Sequence, residues 1–202
     1  MGLALAAVAL SPLVVLREFS TYRILGTLSL EIVLGFSVVL RLRRRGWYWR
    51  DLTLPFAWHD LVRAAGVLVL GYLVYVAGYY LAWAIAPGVG DAAAAVRLTG
   101  RPAWPALLLL SAVNPFYEEL LWLGFAVWGP ARRRPWLALL WSVGPRTLVH
   151  AYQGPMALFS IAPLGLWYLR YYWRTGRLWP VILAHAALDL IGLASLALAK
   201  TG

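Results

Sequence analysis

The chain has 202 residues, of which 62% are hydrophobic and 13% charged, and its formal net charge is +10. Soluble domains carry about 25% charged residues and roughly 45–50% apolar ones, so this composition excludes an ordinary water-soluble globule. The chain contains no cysteine, which excludes disulfides and cysteine-ligated metals. Long apolar runs separated by arginines indicate a multi-pass membrane protein in contact with lipid, with no nucleic acid as a partner.

The apolar runs cover residues 1–16, 24–40, 64–85, 104–128, 136–150, 156–171 and 178–199. The first run has no basic segment before it, so it is interpreted as a spanning or half-spanning helix rather than a cleaved signal peptide. Residues 46–60 form an aromatic and charged connector typical of the membrane surface. A spanning helix needs about 20 apolar residues. The sequence therefore predicts one membrane domain over residues 1–202, an all-α polytopic bundle of six to eight transmembrane helices with a polar intramembrane cavity.

The arginines predict the orientation of this bundle. Most of them follow the second, fourth and sixth runs, at Arg41, Arg43, Arg44, Arg45, Arg50, Arg132, Arg133, Arg134, Arg174 and Arg177. The other loops and the C-terminal tail hold fewer basic residues, at Arg17, Arg23, Arg97, Arg101 and Lys200. Because cytoplasmic loops are enriched in Lys and Arg, the N-terminus and the arginine-rich loops are predicted to lie in the cytoplasm, with the protein in the cell membrane.

A small set of ionisable residues lies inside the apolar runs. Each costs about 2.5–3.5 kcal/mol near the middle of a spanning helix on insertion scales, so function is the default interpretation of their presence. The set is Glu31, Glu118, Glu119, Arg146, His150, His185 and Asp189. Glu31 stands alone in its run, and pairing with a basic residue elsewhere explains it as well as a functional role does.

Glu118 and Glu119 are adjacent carboxylates, which point about 100° apart on a helix. In a site of low dielectric constant, two like charges favour protonation of one of them, which provides an acid and a base near neutral pH. His185 and Asp189 are four residues apart and hence on one helix face. That spacing lets Asp189 orient the imidazole, or lets both side chains converge on a metal or a water.

Three short motifs occur in this part of the chain. They are NPFYEE at 114–119, RTLVH at 146–150, and TGRLWP at 175–180 leading into HAALD at 185–189. In this order they resemble the double-glutamate motif, the histidine-ending motif and the His-x-x-x-Asn/Asp motif of the CAAX protease and bacteriocin-processing (CPBP) family of intramembrane proteases. The resemblance covers about residues 104–190 and implies a core similar to the type II CAAX prenyl endopeptidases.

The resemblance implies a role for each motif residue. Glu118 would activate the attacking water with Glu119 in support, His150 and His185 would position that water or stabilise the oxyanion, and Asp189 would complete the polar cluster. The implied substrate is a membrane-associated peptide or protein, hydrolysed at a peptide bond. Two histidines and a carboxylate also suit zinc, so a metalloprotease-like site of His150, His185 and Glu118 and a metal-free glutamate protease are both open.

The chain departs from the family pattern at two positions. Leu123 stands where the double-glutamate motif usually has Arg, and Arg146 stands where the second motif often has Phe. One hypothesis is that Arg146 supplies the missing cation from the neighbouring helix. The alternatives are a catalytically inactive scaffold on the same fold, and a small transporter, for which the expected inverted repeat is not evident in the sequence.

Convergence of Glu118, His150 and His185 in one pocket is predicted, but straight helices do not explain it. Counting about 1.5 Å per residue, Glu118 lies nearer the cytoplasmic end of its helix and His150 nearer the outer end of its own. Either Gly144-Pro145 breaks the fifth helix, or the helix boundaries differ from the apolar runs by several residues.

Overall fold

The computed structural model describes residues 18–85, 97–98, 103–125, 127, 134–151 and 157–198, so the predicted first span lies outside the described residues. The described helices are α1 (Thr21–Arg44), α2 (Trp49–Leu52), α3 (His59–Ile85), α4 (Trp104–Glu119), α5 (Pro135–Val149), α6 (Ala162–Thr175) and α7 (Trp179–Leu198). A π-helical segment, Leu120–Phe125 (π1), continues α4, and another, Ala157–Ile161 (π2), precedes α6. Two residues of β1 (Glu18–Phe19) pair in parallel with β2 (Arg97–Leu98).

Four of these helical stretches are long and apolar enough to cross a membrane: α1, α3, α4 continued by π1, and α7. Their unpacked faces carry exposed large apolar side chains such as Ile32, Phe36, Leu73 and Tyr80. Exposed apolar surface on this scale marks contact with lipid or with other proteins. The predicted all-α membrane bundle is therefore confirmed, while the number of six to eight spans stays a prediction.

The bundle is organised around α4. This helix packs against both α1 and α7, while α7 also packs against α3. The α6 helix contacts α3 and α5, and π1 contacts α5. One apolar core, including Leu123, Tyr168 and Leu178, links these helices. The arrangement brings α1, α4, α5 and α7, which carry the ionisable residues, together around one interior region.

A glycine allows the closest of these helix contacts. A Cβ atom placed on Gly78 of α3 would lie 1.8 Å from the backbone oxygen of Phe159 in π2. No side chain fits in that space, so glycine is required where α3 meets π2.

The connector between α1 and α3 is fixed to the turn between α6 and α7. Leu54 N–H donates to the Gly176 carbonyl at 3.2 Å, and Leu178 N–H donates to Thr53 Oγ1 at 2.9 Å. Asp60, which is fully buried, accepts from Arg177 Nη1 at 3.0 and 3.1 Å. These contacts place the starts of α3 and α7 at the same end of the bundle.

The predicted interruption of the fifth helix is wrong. The α5 helix runs without a break through Gly144 and Pro145 and ends at Val149. A proline removes one intrahelical hydrogen bond and bends a helix, but it does not by itself end one. The depth difference between Glu118 and His150 is therefore not removed by a helix break.

Candidate active site

The two adjacent glutamates lie in a distorted part of the fourth membrane helix. Pro115, which has no N–H to donate, lies inside α4 three residues before Glu118, and π1 begins directly after Glu119. Glu118 is 8% exposed and Glu119 is fully buried. Single π-helical turns within α-helices frequently occur at functional sites, and this one directly follows the buried carboxylates.

Glu119 is neutralised by an arginine from another helix. Arg146 donates from Nη1 to Glu119 Oε1 at 2.8 Å and from Nη2 to Oε2 at 2.6 Å, and both side chains are buried. Such a bidentate pair is the geometry in which guanidinium and carboxylate groups interact most strongly. Arg146 therefore provides Glu119 with a cation from another helix, and its replacing the arginine expected at position 123 stays a hypothesis.

Glu118 has a different environment from its neighbour. Its Oε2 atom is buried and has no hydrogen-bond partner among the described residues. The atoms of Glu118, Glu119 and His185 that could bind a metal ion nevertheless lie within 4.8 Å of one another. Glu119 is thus held in an ion pair, while Glu118 remains available to accept a proton or a ligand.

His185 contacts Glu119 and Asp189, the residue that ends its own motif. Its Nδ1 atom lies 2.7 Å from Glu119 Oε1 and its Nε2 atom 3.5 Å from Asp189 Oδ1. Asn114 donates to Asp189 Oδ2 at 3.2 Å. Because the Glu119 contact is the shorter, the imidazole is oriented mainly by Glu119, whereas the sequence offered Asp189 for that role as one of two possibilities. Asn114 fixes Asp189 from the start of the double-glutamate motif.

Two residues of α6 shape the surroundings of Arg146. The fully buried ring of Tyr168 lies 5.6 Å below the guanidinium carbon of Arg146 and 6.0 Å from the His185 ring. A Cβ atom on Gly165 would come within 3.1 Å of Arg146 Cδ. The aromatic face favours the cation and the glycine leaves room for its side chain. Neither residue was singled out in the sequence, since a tyrosine or glycine in an apolar helix has no specific pattern.

His150 lies at the C-terminal end of α5, with its Nδ1 atom 2.9 Å from the Arg146 carbonyl oxygen. It does not belong to the group of Glu118, Glu119 and His185, whose possible metal-binding atoms lie within 4.8 Å of one another. Its predicted approach to Glu118 stays a prediction.

Glu31 reaches the same region from α1. It is 8% exposed and interacts electrostatically with Glu118, Asp189 and His185. Within the described part of the chain it forms no ion pair, and its Oε2 atom is buried without a hydrogen-bond partner. Among the described residues, the simple structural ion pair, one of the two interpretations from the sequence, therefore has no partner for Glu31.

The donor set of this site is a poor fit for a metal ion. Glu118, Glu119 and His185 are the closely spaced donors, but both oxygens of Glu119 already accept from Arg146. A divalent cation bound to Glu119 would lie beside a buried guanidinium, and like charges in low dielectric repel strongly. Two donors without such a conflict, Glu118 and His185, are fewer than the three protein ligands usual for catalytic zinc.

The fold and site together define a class, a helical membrane protein with a buried glutamate, arginine and histidine cluster. Residues 100–191 match the family model described as Type II CAAX prenyl endopeptidase Rce1-like, just under half of the chain. The resemblance drawn from the three motifs is confirmed over this region, which is similar to that family. No curated protein and no solved structure gives a significant match.

Proposed function

We propose that the protein is an intramembrane endopeptidase that hydrolyses a peptide bond of a membrane-associated peptide or protein with water activated by Glu118. The observation that carries this proposal is the contrast between the two adjacent carboxylates. Glu119 is held in a buried ion pair with Arg146, whereas Glu118 Oε2 has no hydrogen-bond partner among the described residues. A general base must have such an available acceptor within reach of a water.

In the proposed reaction Glu118 takes a proton from water as the water oxygen bonds to the carbonyl carbon of the substrate. His185, held by Glu119, stabilises the negative charge that develops on the carbonyl oxygen, as oxyanion donors do. The carbon–nitrogen bond then breaks, and the proton held by Glu118 passes to the leaving amine. In this proposal Asp189 limits the movement of His185, and His150 assists from the end of α5.

We favour the endopeptidase over the two alternatives drawn from the sequence, an inactive scaffold and a small transporter, on the following grounds. The inactive scaffold depended on Leu123 replacing an arginine, but Arg146 provides Glu119 with a cation in its place. The transporter reading requires ions to move between Glu and His residues, whereas Glu119 is fixed by two charge-assisted hydrogen bonds. We retain the endopeptidase, with a protease core over residues 104–190 of a single membrane domain.

We further propose that the arginine-rich end of the bundle faces the cytoplasm, with the protein in the cell membrane. The C-terminal end of α1 and the start of the connector carry exposed arginines, including Arg44, Arg45 and Arg50. Since the chain has no native cysteine, an Arg45→Cys variant can be labelled specifically. An impermeant thiol reagent is expected to label this variant only after the cells are opened. Labelling in intact cells would show that the orientation is the opposite of the one proposed.

The activity itself is tested with purified protein in lipid nanodiscs and a panel of lipid-anchored peptides. Mass spectrometry of the products is expected to show two fragments that differ from the substrate by one water in total. A panel that remains intact with folded protein would contradict the proposed function.

A further inference from the structure

Glu31 adds a carboxylate to the polar cluster from α1, a helix outside the family-matched region 100–191. Its side chain is 8% exposed, and its buried Oε2 atom has no hydrogen-bond partner in the described part of the chain. It interacts electrostatically with Glu118, Asp189 and His185. Glu31 is thus a buried carboxylate without a hydrogen-bond partner for Oε2 among the described residues, on a helix that packs against the one carrying Glu118, and the proposed reaction does not use it.

Carboxylates outnumber cations in this cluster. Arg146 is paired with Glu119 through both of its terminal nitrogens. His185 is the other basic side chain among the described residues of the cluster, and its Nδ1 atom also contacts Glu119. Among the described residues, Glu31 and Glu118 therefore form no ion pair.

Such an imbalance is costly while both carboxylates are ionised, and it is relieved either by a proton on one of them or by a positively charged ligand. An uncompensated charge in a low-dielectric interior is strongly unfavourable, and an apolar residue at position 31 would insert into a membrane more easily. A positive group on the substrate would provide the missing partner. In a peptide that group is the ammonium of Lys or the guanidinium of Arg. The side chain of Asp189 is 26% exposed, compared with 9% for His185, so the cluster is more accessible from the Asp189 side.

We propose that Glu31 is a specificity-determining residue that binds a cationic side chain, Lys or Arg, of the peptide substrate close to the scissile bond. This inference rests on the proposed function, because it assumes that the ligand of the cluster is a peptide. Glu31 selects the substrate, while Glu118 acts on the bond that is cleaved.

The test measures binding rather than turnover. The ligands are lipid-anchored fluorescent peptides of otherwise neutral residues that carry either Lys or norleucine at each position in turn. Their binding to the protein is measured in nanodiscs with excess chelator, which removes metal ions as competing cations. Glu118→Gln serves as a background without turnover. The best lysine peptide is expected to bind about 30-fold or more tightly than its norleucine match, as for a buried charge pair. Adding Glu31→Gln should reduce that ratio to about twofold or less, because the amide cannot pair with the ammonium.

Asp51→Asn is the matched control, since it removes a carboxylate from the connector outside the cluster, and it should leave the lysine preference intact. If Glu31→Gln does not fold, Glu31→Asp keeps the charge and should retain a reduced preference. Equal binding of the two peptides, or a preference that survives Glu31→Gln, would overturn the inference. A lysine preference without cleavage by the wild type would contradict the proposed function alone, and cleavage without the preference would contradict the role of Glu31 alone.

Discussion

Arg146 of α5 binds Glu119 of α4 through two parallel hydrogen bonds of 2.8 and 2.6 Å, and neither side chain is more than 2% exposed. The pair joins two helices in the region where Glu118 and His185 also lie. It leaves Glu118, one residue earlier, as the available carboxylate of the double-glutamate motif.

Removing the arginine should destabilise the protein strongly. Arg146→Met leaves Glu119 as a buried charge without its main partner, which typically costs about 3–5 kcal/mol. Moving the cation should recover part of this loss. Leu123 lies one helical turn after Glu119, in the π1 segment that continues α4, so Leu123→Arg combined with Arg146→Leu should be more stable than Arg146→Leu alone. Denaturant unfolding in detergent measures all of these variants, and an Arg146→Met protein as stable as wild type would show that the pair contributes nothing.

Gly165→Ala tests whether the space beside Arg146 matters. The added methyl would meet Arg146 Cδ at 3.1 Å, so the arginine must shift, and overpacking of this kind costs about 1–3 kcal/mol. Gly192→Ala is the control, because a Cβ there meets no atom within 4 Å and should stabilise the helix by about 0.5–1 kcal/mol. The two substitutions are expected to change the unfolding midpoint in opposite directions. A shift of the same sign and size in both would contradict the packing argument.

Asp60 should be important for stability although it is remote from the proposed chemistry. It accepts from the Ala57 N–H at 2.9 Å and from Arg63 and Arg177 at 3.0 Å, and it is fully buried. Asp60→Asn removes the charge that holds both arginines and should cost about 1.5–3 kcal/mol. Arg63→Gln should cost less than about 1 kcal/mol, since the Arg63 side chain is 42% exposed. Equal losses of unfolding free energy would show that Asp60 is not the centre of this network.

Chelation distinguishes the metal-free site from a zinc site. Because Arg146 occupies both oxygens of Glu119, we expect peptide cleavage to be unchanged after extended treatment with a strong zinc chelator. Metal analysis of the purified protein should likewise find less than one equivalent of zinc. Loss of activity on chelation, restored by added zinc, would overturn the metal-free arrangement.

The sequence predicted the helices well where apolar runs are long. The apolar run 24–40 corresponds to α1 and the run 178–199 to α7, because lipid-facing helices are defined by length and hydropathy alone. The break at Gly144-Pro145 was wrong, since a proline lowers helix propensity without deciding where a packed helix ends. The first span at 1–16 lies outside the described residues.

The site was partly predictable for a physical reason. Ionisable residues in apolar runs are conspicuous, so Glu118, Glu119, Arg146 and His185 could be found from the sequence and are brought together in the structure. Which of these side chains pair with one another could not be predicted from the sequence, because it depends on how α4, α5 and α7 pack. Asp60 lies next to a polar connector, where an acidic residue is ordinary, so its buried network gave no sequence signal.

The most direct test of the central claim compares wild-type protein with Glu118→Gln in cleavage of a lipid-anchored peptide. The amide keeps the size of the side chain but cannot accept the proton of water, so turnover should fall by about 10²–10⁴-fold with little change in stability. Glu119→Gln should instead lose stability, because it breaks the pair with Arg146, and Asp189→Asn should be the mildest of the three. Equal turnover by wild type and Glu118→Gln, both folded, would contradict the assignment of Glu118 as the general base.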